Sequence, residues 1–165
     1  MASTSPAFVL WDEATPGVVT LPSGVRVRGR ALRDGPLPND AMDVEGAAVR
    51  PDFGVYLTGR PHVEPGWESR WVRWPDFRTP HSTPDTMAVL AEAYERAATS
   101  RVEIACGGGT GRTGSALAIL ARLGGVPAED AVVWVREHYR PRAAETPWQR
   151  RWVARVRLDA SVRGE

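Results

Sequence analysis

Residues 106 to 113 read Cys-Gly-Gly-Gly-Thr-Gly-Arg-Thr, and this run constrains the folding of the chain more than any other feature. Its four glycines weaken any regular element, because glycine loses more backbone freedom on ordering than other residues do. A core cysteine has no need of such neighbours; a backbone that must closely approach something does. Before the run stands Val102 to Cys106, apolar except for Glu103, and after it Ser115 to Leu123, a helix-forming stretch stopped by Gly124-Gly125. Strand, glycine loop and helix in that order predict an α/β domain with the loop at the C-terminal end of a strand.

Each residue type in the loop suits a bound oxyanion. Gly107, Gly108, Gly109, Thr110 and Gly111 can turn successive N–H groups inward as a nest, and a helix opening near Arg112 adds the positive end of its dipole. Arg112 can hold two phosphate oxygens with its planar fork. The same surroundings favour a thiolate at Cys106, the nucleophilic form of the side chain. Thr113 can hydrogen-bond the sulfur and later ease its departure from a thiophosphate.

Two other readings of these glycines fail. Gly109, Gly111 and Gly114 satisfy G-x-G-x-x-G, but a dinucleotide-binding unit needs a second strand ending in an acidic residue about 20 positions on. Glu129 and Asp130 open a predicted helix instead. A Walker loop requires Lys before its hydroxyl residue and glycine where Cys106 stands.

The rest of the chain supplies the frame. Gly17 to Leu21 and Val25 to Arg30 around Pro22-Ser23-Gly24 predict a hairpin, Asp34 to Asp43 with its Gly35, Pro36 and Pro38 a loop, and Phe53 to Leu57 a strand. Trp67 to Trp74 reads as a strand ending at Pro75, followed by a loop to His81. Ser82 or Thr83 can cap a helix running to about Thr99, with Met87, Leu90, Ala91, Tyr94 and Ala98 on its apolar face. Ala128 to Tyr139 predicts a further helix with Ala131, Val132, Val135 and Tyr139 inward, and a last one opens at Thr146-Pro147 and passes Val156. Trp148 and Trp152, four apart, fit one buried face of it.

Composition narrows the partners. A chain of 165 residues, 42% of them hydrophobic, is read as one domain spanning 1–165, with a β-rich part over 1–50. All 21 basic residues are Arg, which we read as coding bias in a GC-rich bacterial genome, and 20 acidic residues leave a net charge of +1. So weak a field makes nucleic acid and membrane surfaces poor partners. No run approaches the ~20 apolar residues of a bilayer span, and Met1 to Ala7 lacks a secretory pattern; a cytoplasmic monomer is the expectation. A single cysteine excludes an internal disulfide, and the scattered His62, His81 and His138 suggest no metal site.

Cys106 to Thr113 resembles the signature of the protein-tyrosine phosphatase family, Cys-x5-Arg-Ser/Thr, over a resemblance spanning residues 53 to 156. Trp74-Pro75-Asp76 resembles that family's mobile acid loop, and its place before the cysteine matches the classical and dual-specificity branches. The resemblance implies a mixed central sheet with helices on both faces, and Asp76 as the general acid. It implies a phosphorylated protein or small phosphate ester as substrate, and no cofactor. Ala144 to Gln149 resembles the segment whose glutamine positions the hydrolytic water, a role this assigns to Gln149. Arg140 or Arg142, beyond Val135 to Tyr139, could face the site. One departure concerns the position before the cysteine, where the family usually has His and this chain has Ala105. Tuning of the thiolate is then left to the loop, Arg112 and the helix. Gly107, Gly109 and Thr110 stand where lipid phosphatases tend to place basic residues. Two alternatives stay open: a catalytically silent phosphate-binding module, and a rhodanese-like sulfur transferase, which would have no use for Asp76.

Overall fold

The computed structural model describes residues 9–35, 50–64 and 66–158. Most of the loop expected over Asp34 to Asp43, and Met1 to Ala7, lie outside them. The strands are β1 (Val18–Thr20), β2 (Arg26–Ala31), β3 (Phe53–Thr58), β4 (Glu68–Arg73) and β5 (Val102–Cys106). The helices are α1 (Thr83–Arg96), α2 (Gly111–Leu123), α3 (Ala131–His138) and α4 (Pro147–Arg155). The strands form one mixed sheet in the order β1-β2-β5-β3-β4, antiparallel between β1 and β2 and parallel elsewhere. The expected hairpin is present, with Gly24 closing its turn at a φ of 91°.

All five residues of β5 are buried, as a central parallel strand covered on both faces requires. Alternation along the strand sends Val102, Ile104 and Cys106 to one face, where they join Val27, Phe53, Val55 and Leu57 in the core. Against that face pack Leu90 and Ala93 of α1, Ala116 to Ala121 of α2, Ala131 and Val135 of α3, and Val153 of α4. Among the described residues all four α-helices therefore share one face rather than the two that were expected, and the opposite face is closed by the buried Trp11 and by the charges around Glu103.

Glu103, fully buried, points to that opposite face and accepts from Arg28 at 2.6 Å, from Arg30 at 2.7 Å and from the Tyr56 hydroxyl at 2.8 Å. Trp67 donates its indole N–H to the same hydroxyl at 2.7 Å. The parallel register sets Glu103 beside Arg28 and Ala105 beside Arg30, so the charges meet by strand pairing alone.

α1 begins where expected, with Ser82 accepting from the Asp85 N–H, but its buried stripe is turned from the expected one. Thr86, Leu90, Ala93 and Ala97 face the core, and Ala98 is exposed. The Thr86 hydroxyl donates to the Ser82 carbonyl at 2.7 Å, which lets a polar residue take a core position, while two alanines allow close approach to the sheet. α2 starts at Gly111, four residues before the helix-forming stretch, and all 13 of its residues are buried. Among the described residues no helix is long and apolar enough to cross a membrane.

Candidate active site

β5 delivers Cys106 to the C-terminal end of the central strand, and the chain turns through Gly107 to Thr110 into α2. Three successive loop carbonyls point outward and are held. Gly107 accepts from the Arg33 N–H at 3.1 Å, Gly108 from Arg140 at 3.0 Å, and Gly109 from the Tyr139 hydroxyl. Arg140 also reaches the Thr110 hydroxyl at 3.0 Å. Burial pushes the Tyr139 hydroxyl well above the ordinary range, so it remains a donor. With its carbonyls turned out, the loop aims the Gly109 N–H at the Cys106 sulfur, 3.2 Å away.

Gly109 has a φ of 68°, and a Cβ there would lie 2.8 Å from the Ala31 nitrogen. Only glycine combines that left-handed backbone with such close approach to β2. No side chain caps α2, so its first-turn N–H groups remain available to an anion.

Arg112 is buried and directed from α2 toward the acid loop. One terminal nitrogen donates to the carbonyls of Leu57 at 3.0 Å and Trp74 at 3.1 Å, and the other lies 3.3 Å from Asp76. Its Nε is buried without a partner among the described residues. Asp76 also accepts from the Phe77 N–H at 3.0 Å, and its side chain is largely exposed.

These groups open on one cavity of about 290 Å³, lined by Cys106, Gly108, Thr110, Gly111, Arg112 and Asp76, with Phe77, Arg33, Arg142 and Glu145. Of the arginines weighed in the sequence, Arg142 faces the site and Arg140 braces the loop from behind. The Thr113 hydroxyl is buried without a partner among the described residues, so the expected bond to sulfur is not made in this arrangement.

Gln149 is buried and absent from the cavity wall. Its amide N–H donates to the Arg78 carbonyl at 3.0 Å, and its carbonyl accepts from the Thr146 N–H at 3.2 Å in a reciprocal cap of α4. Glu145 is the polar side chain of that segment that lines the cavity, with Oε1 2.8 Å from where a Gly111 Cβ would stand. Trp148 departs from expectation: it is 51% exposed, whereas Trp152 packs edge-on against Trp74 with ring centroids 5.1 Å apart.

The roles of Arg33, Tyr139 and Glu145 depend on contacts between distant segments and carry no local sequence signal. Glu103 does carry one, since a lone acid in an apolar strand must find cations, and Arg28 and Arg30 alternate on β2.

A sequence profile described as protein-tyrosine phosphatase matches residues 52–145. No curated protein matches the chain. Among solved structures, Tk-PTP in its active form superposes with a TM-score of 0.61 at 23% identity, covering 86% of this chain and 99% of that one. A glycine-to-alanine mutant of Tk-PTP gives 0.57 at 24% identity, covering 78% and 86%. At these identities the likeness concerns the fold.

Proposed function

The chain belongs to the protein-tyrosine phosphatase family, and from that premise we propose that this phosphatase acts foremost on protein phosphotyrosine, through a cysteinyl-phosphate intermediate. The observation that carries the reading is the convergence of Cys106, Arg112 and Asp76 on one cavity, with the Gly109 N–H already turned to the sulfur.

In the first step the Cys106 thiolate attacks phosphorus in line with the leaving oxygen. As the S–P bond forms and the P–O bond breaks, Asp76 gives its proton to the departing phenolate. In the second step the Asp76 carboxylate takes a proton from water, whose oxygen attacks phosphorus and expels the thiolate, releasing inorganic phosphate. Charge spread over the equatorial oxygens is met by the loop N–H groups, the N-terminus of α2 and the fork of Arg112, including its buried Nε. Thr113 serves the departing sulfur by turning its unpartnered hydroxyl toward it. Gln149 can position the water only by releasing Arg78, whereas Glu145 already borders the loop at Gly111.

Phe77, 53% exposed on the cavity wall, offers an aromatic face to a phenyl ring. This supports phosphotyrosine over a phosphorylated aliphatic hydroxyl. Turnover of p-nitrophenyl phosphate, sensitive to vanadate and abolished in Cys106→Ser, is the expected result, with phosphotyrosine peptides preferred to phosphoserine peptides. Normal turnover in Cys106→Ser would overturn the mechanism.

A further inference from the structure

Phe77, the residue after Asp76, has a φ of 60°. A bulky side chain takes this left-handed conformation only when its surroundings hold it. Part of that hold comes from α4. Trp148 donates its indole N–H to the Phe77 carbonyl, and Gln149 donates its amide N–H to the next carbonyl, that of Arg78, at 3.0 Å.

The two donors differ in what keeps them in place. Gln149 is buried and fixed by its cap with Thr146. Trp148 is 51% exposed, so core packing does not explain why an indole stands there. Its indole N–H is spent on the acid loop, and the hydrogen bond falls on Phe77, the residue of that loop with the left-handed backbone. Arg112 meanwhile holds the Trp74 carbonyl on the other side of Asp76 at 3.1 Å. The aspartate is thus bracketed, by the phosphate loop before it and by the first turn of α4 after it.

We propose that Trp148 is a positioning residue for Asp76, latching the acid loop through the Phe77 carbonyl so that the carboxyl group stays over the cavity. The proposal rests on the reading of Asp76 as general acid, and it concerns a residue that never touches the phosphoryl group. Loss of the latch should therefore weaken proton delivery and leave the attack of Cys106 intact. Proton delivery matters most when the leaving group is a poor one.

The test compares kcat/KM on phenyl phosphate, a poor leaving group, with kcat/KM on p-nitrophenyl phosphate, a good one, because kcat/KM reports transfer to Cys106 and not the later hydrolysis that Asp76 also serves. Trp148→Phe keeps a ring and removes the donor; Trp148→Leu removes both and serves as the second variant. Both should lose about tenfold on phenyl phosphate and less than about twofold on p-nitrophenyl phosphate, misplacement of a catalytic group by about 1 Å being worth up to ~100-fold. Equal effects on the two substrates, or no effect, would overturn the latch, since a general structural role cannot sense the leaving group. Asp76→Asn is measured alongside. If it too lacks leaving-group dependence, the failure lies with the acid assignment; if it shows that dependence and the Trp148 variants do not, the failure lies with the latch.

Discussion

Arg112 and Asp76 face each other at 3.3 Å, although one stands on a buried helix and the other on an exposed loop. The pair brings little stability, because an ion pair with one largely exposed partner is typically worth under about 1 kcal/mol. Its consequence is geometric. The same guanidinium holds the carbonyls of Leu57 and Trp74, so the end of β3, the root of the acid loop and the phosphate loop meet on one side chain.

Arg112→Lys should lower kcat/KM on p-nitrophenyl phosphate by about 100-fold or more despite keeping the charge. An ammonium group cannot present two parallel N–H bonds to phosphate while others hold backbone carbonyls. Steady-state kinetics at fixed pH decide it, and a loss below tenfold would show that charge alone suffices.

Tyr139→Phe removes the hydroxyl that holds the Gly109 carbonyl. A buried acceptor left unpaired costs about 1–3 kcal/mol, and the loop that aims the Gly109 N–H at sulfur should loosen. The expected result is weaker binding of vanadate by at least threefold, read by inhibition, with little change in far-UV circular dichroism. Unchanged inhibition would mean that Arg140 and the Arg33 N–H hold the loop without it.

Glu103→Gln should destabilise the protein by about 3–5 kcal/mol, since it removes the buried carboxylate that Arg28 and Arg30 share, although Arg30 keeps its ion pair with Glu64 at 3.2 Å. Burial alone would raise the Glu103 carboxyl, but its hydrogen bond with Arg30 and the charges of Arg28 and Arg30 outweigh burial and hold it below the usual range. A carboxyl depressed in the folded state adds stability that is present above its unfolded range and is lost as pH falls through the folded one. Urea denaturation across acidic pH should show that loss in the parent protein and a flatter profile in the variant. A variant within 1 kcal/mol of the parent at neutral pH would contradict the network's role.

Periodicity and turn chemistry located most elements to within a few residues. β5 was delimited by its own apolar run and the glycines after it, and α4 by Thr146-Pro147. The stripe of α1 was misplaced because its pattern admitted several apolar faces, and the bond from the Thr86 hydroxyl to Ser82 selected among them. Trp148 was expected inside because four-residue spacing puts it on the side of Trp152; the first turn of α4 instead projects past the core toward the acid loop.

The chemistry proposed for the loop was legible in the sequence alone, because thiol, glycines and arginine lie within eight consecutive residues and the roles proposed for them follow from local backbone freedom and charge. What surrounds that loop was decided only by the tertiary structure. Tyr139 and Arg140 hold its carbonyls, Arg33, Arg142 and Glu145 wall the cavity, and α4 reaches the acid loop through Trp148 and Gln149. Each of these contacts joins segments far apart in the chain, and no local pattern encodes a meeting that depends on how the helices pack on one face of the sheet.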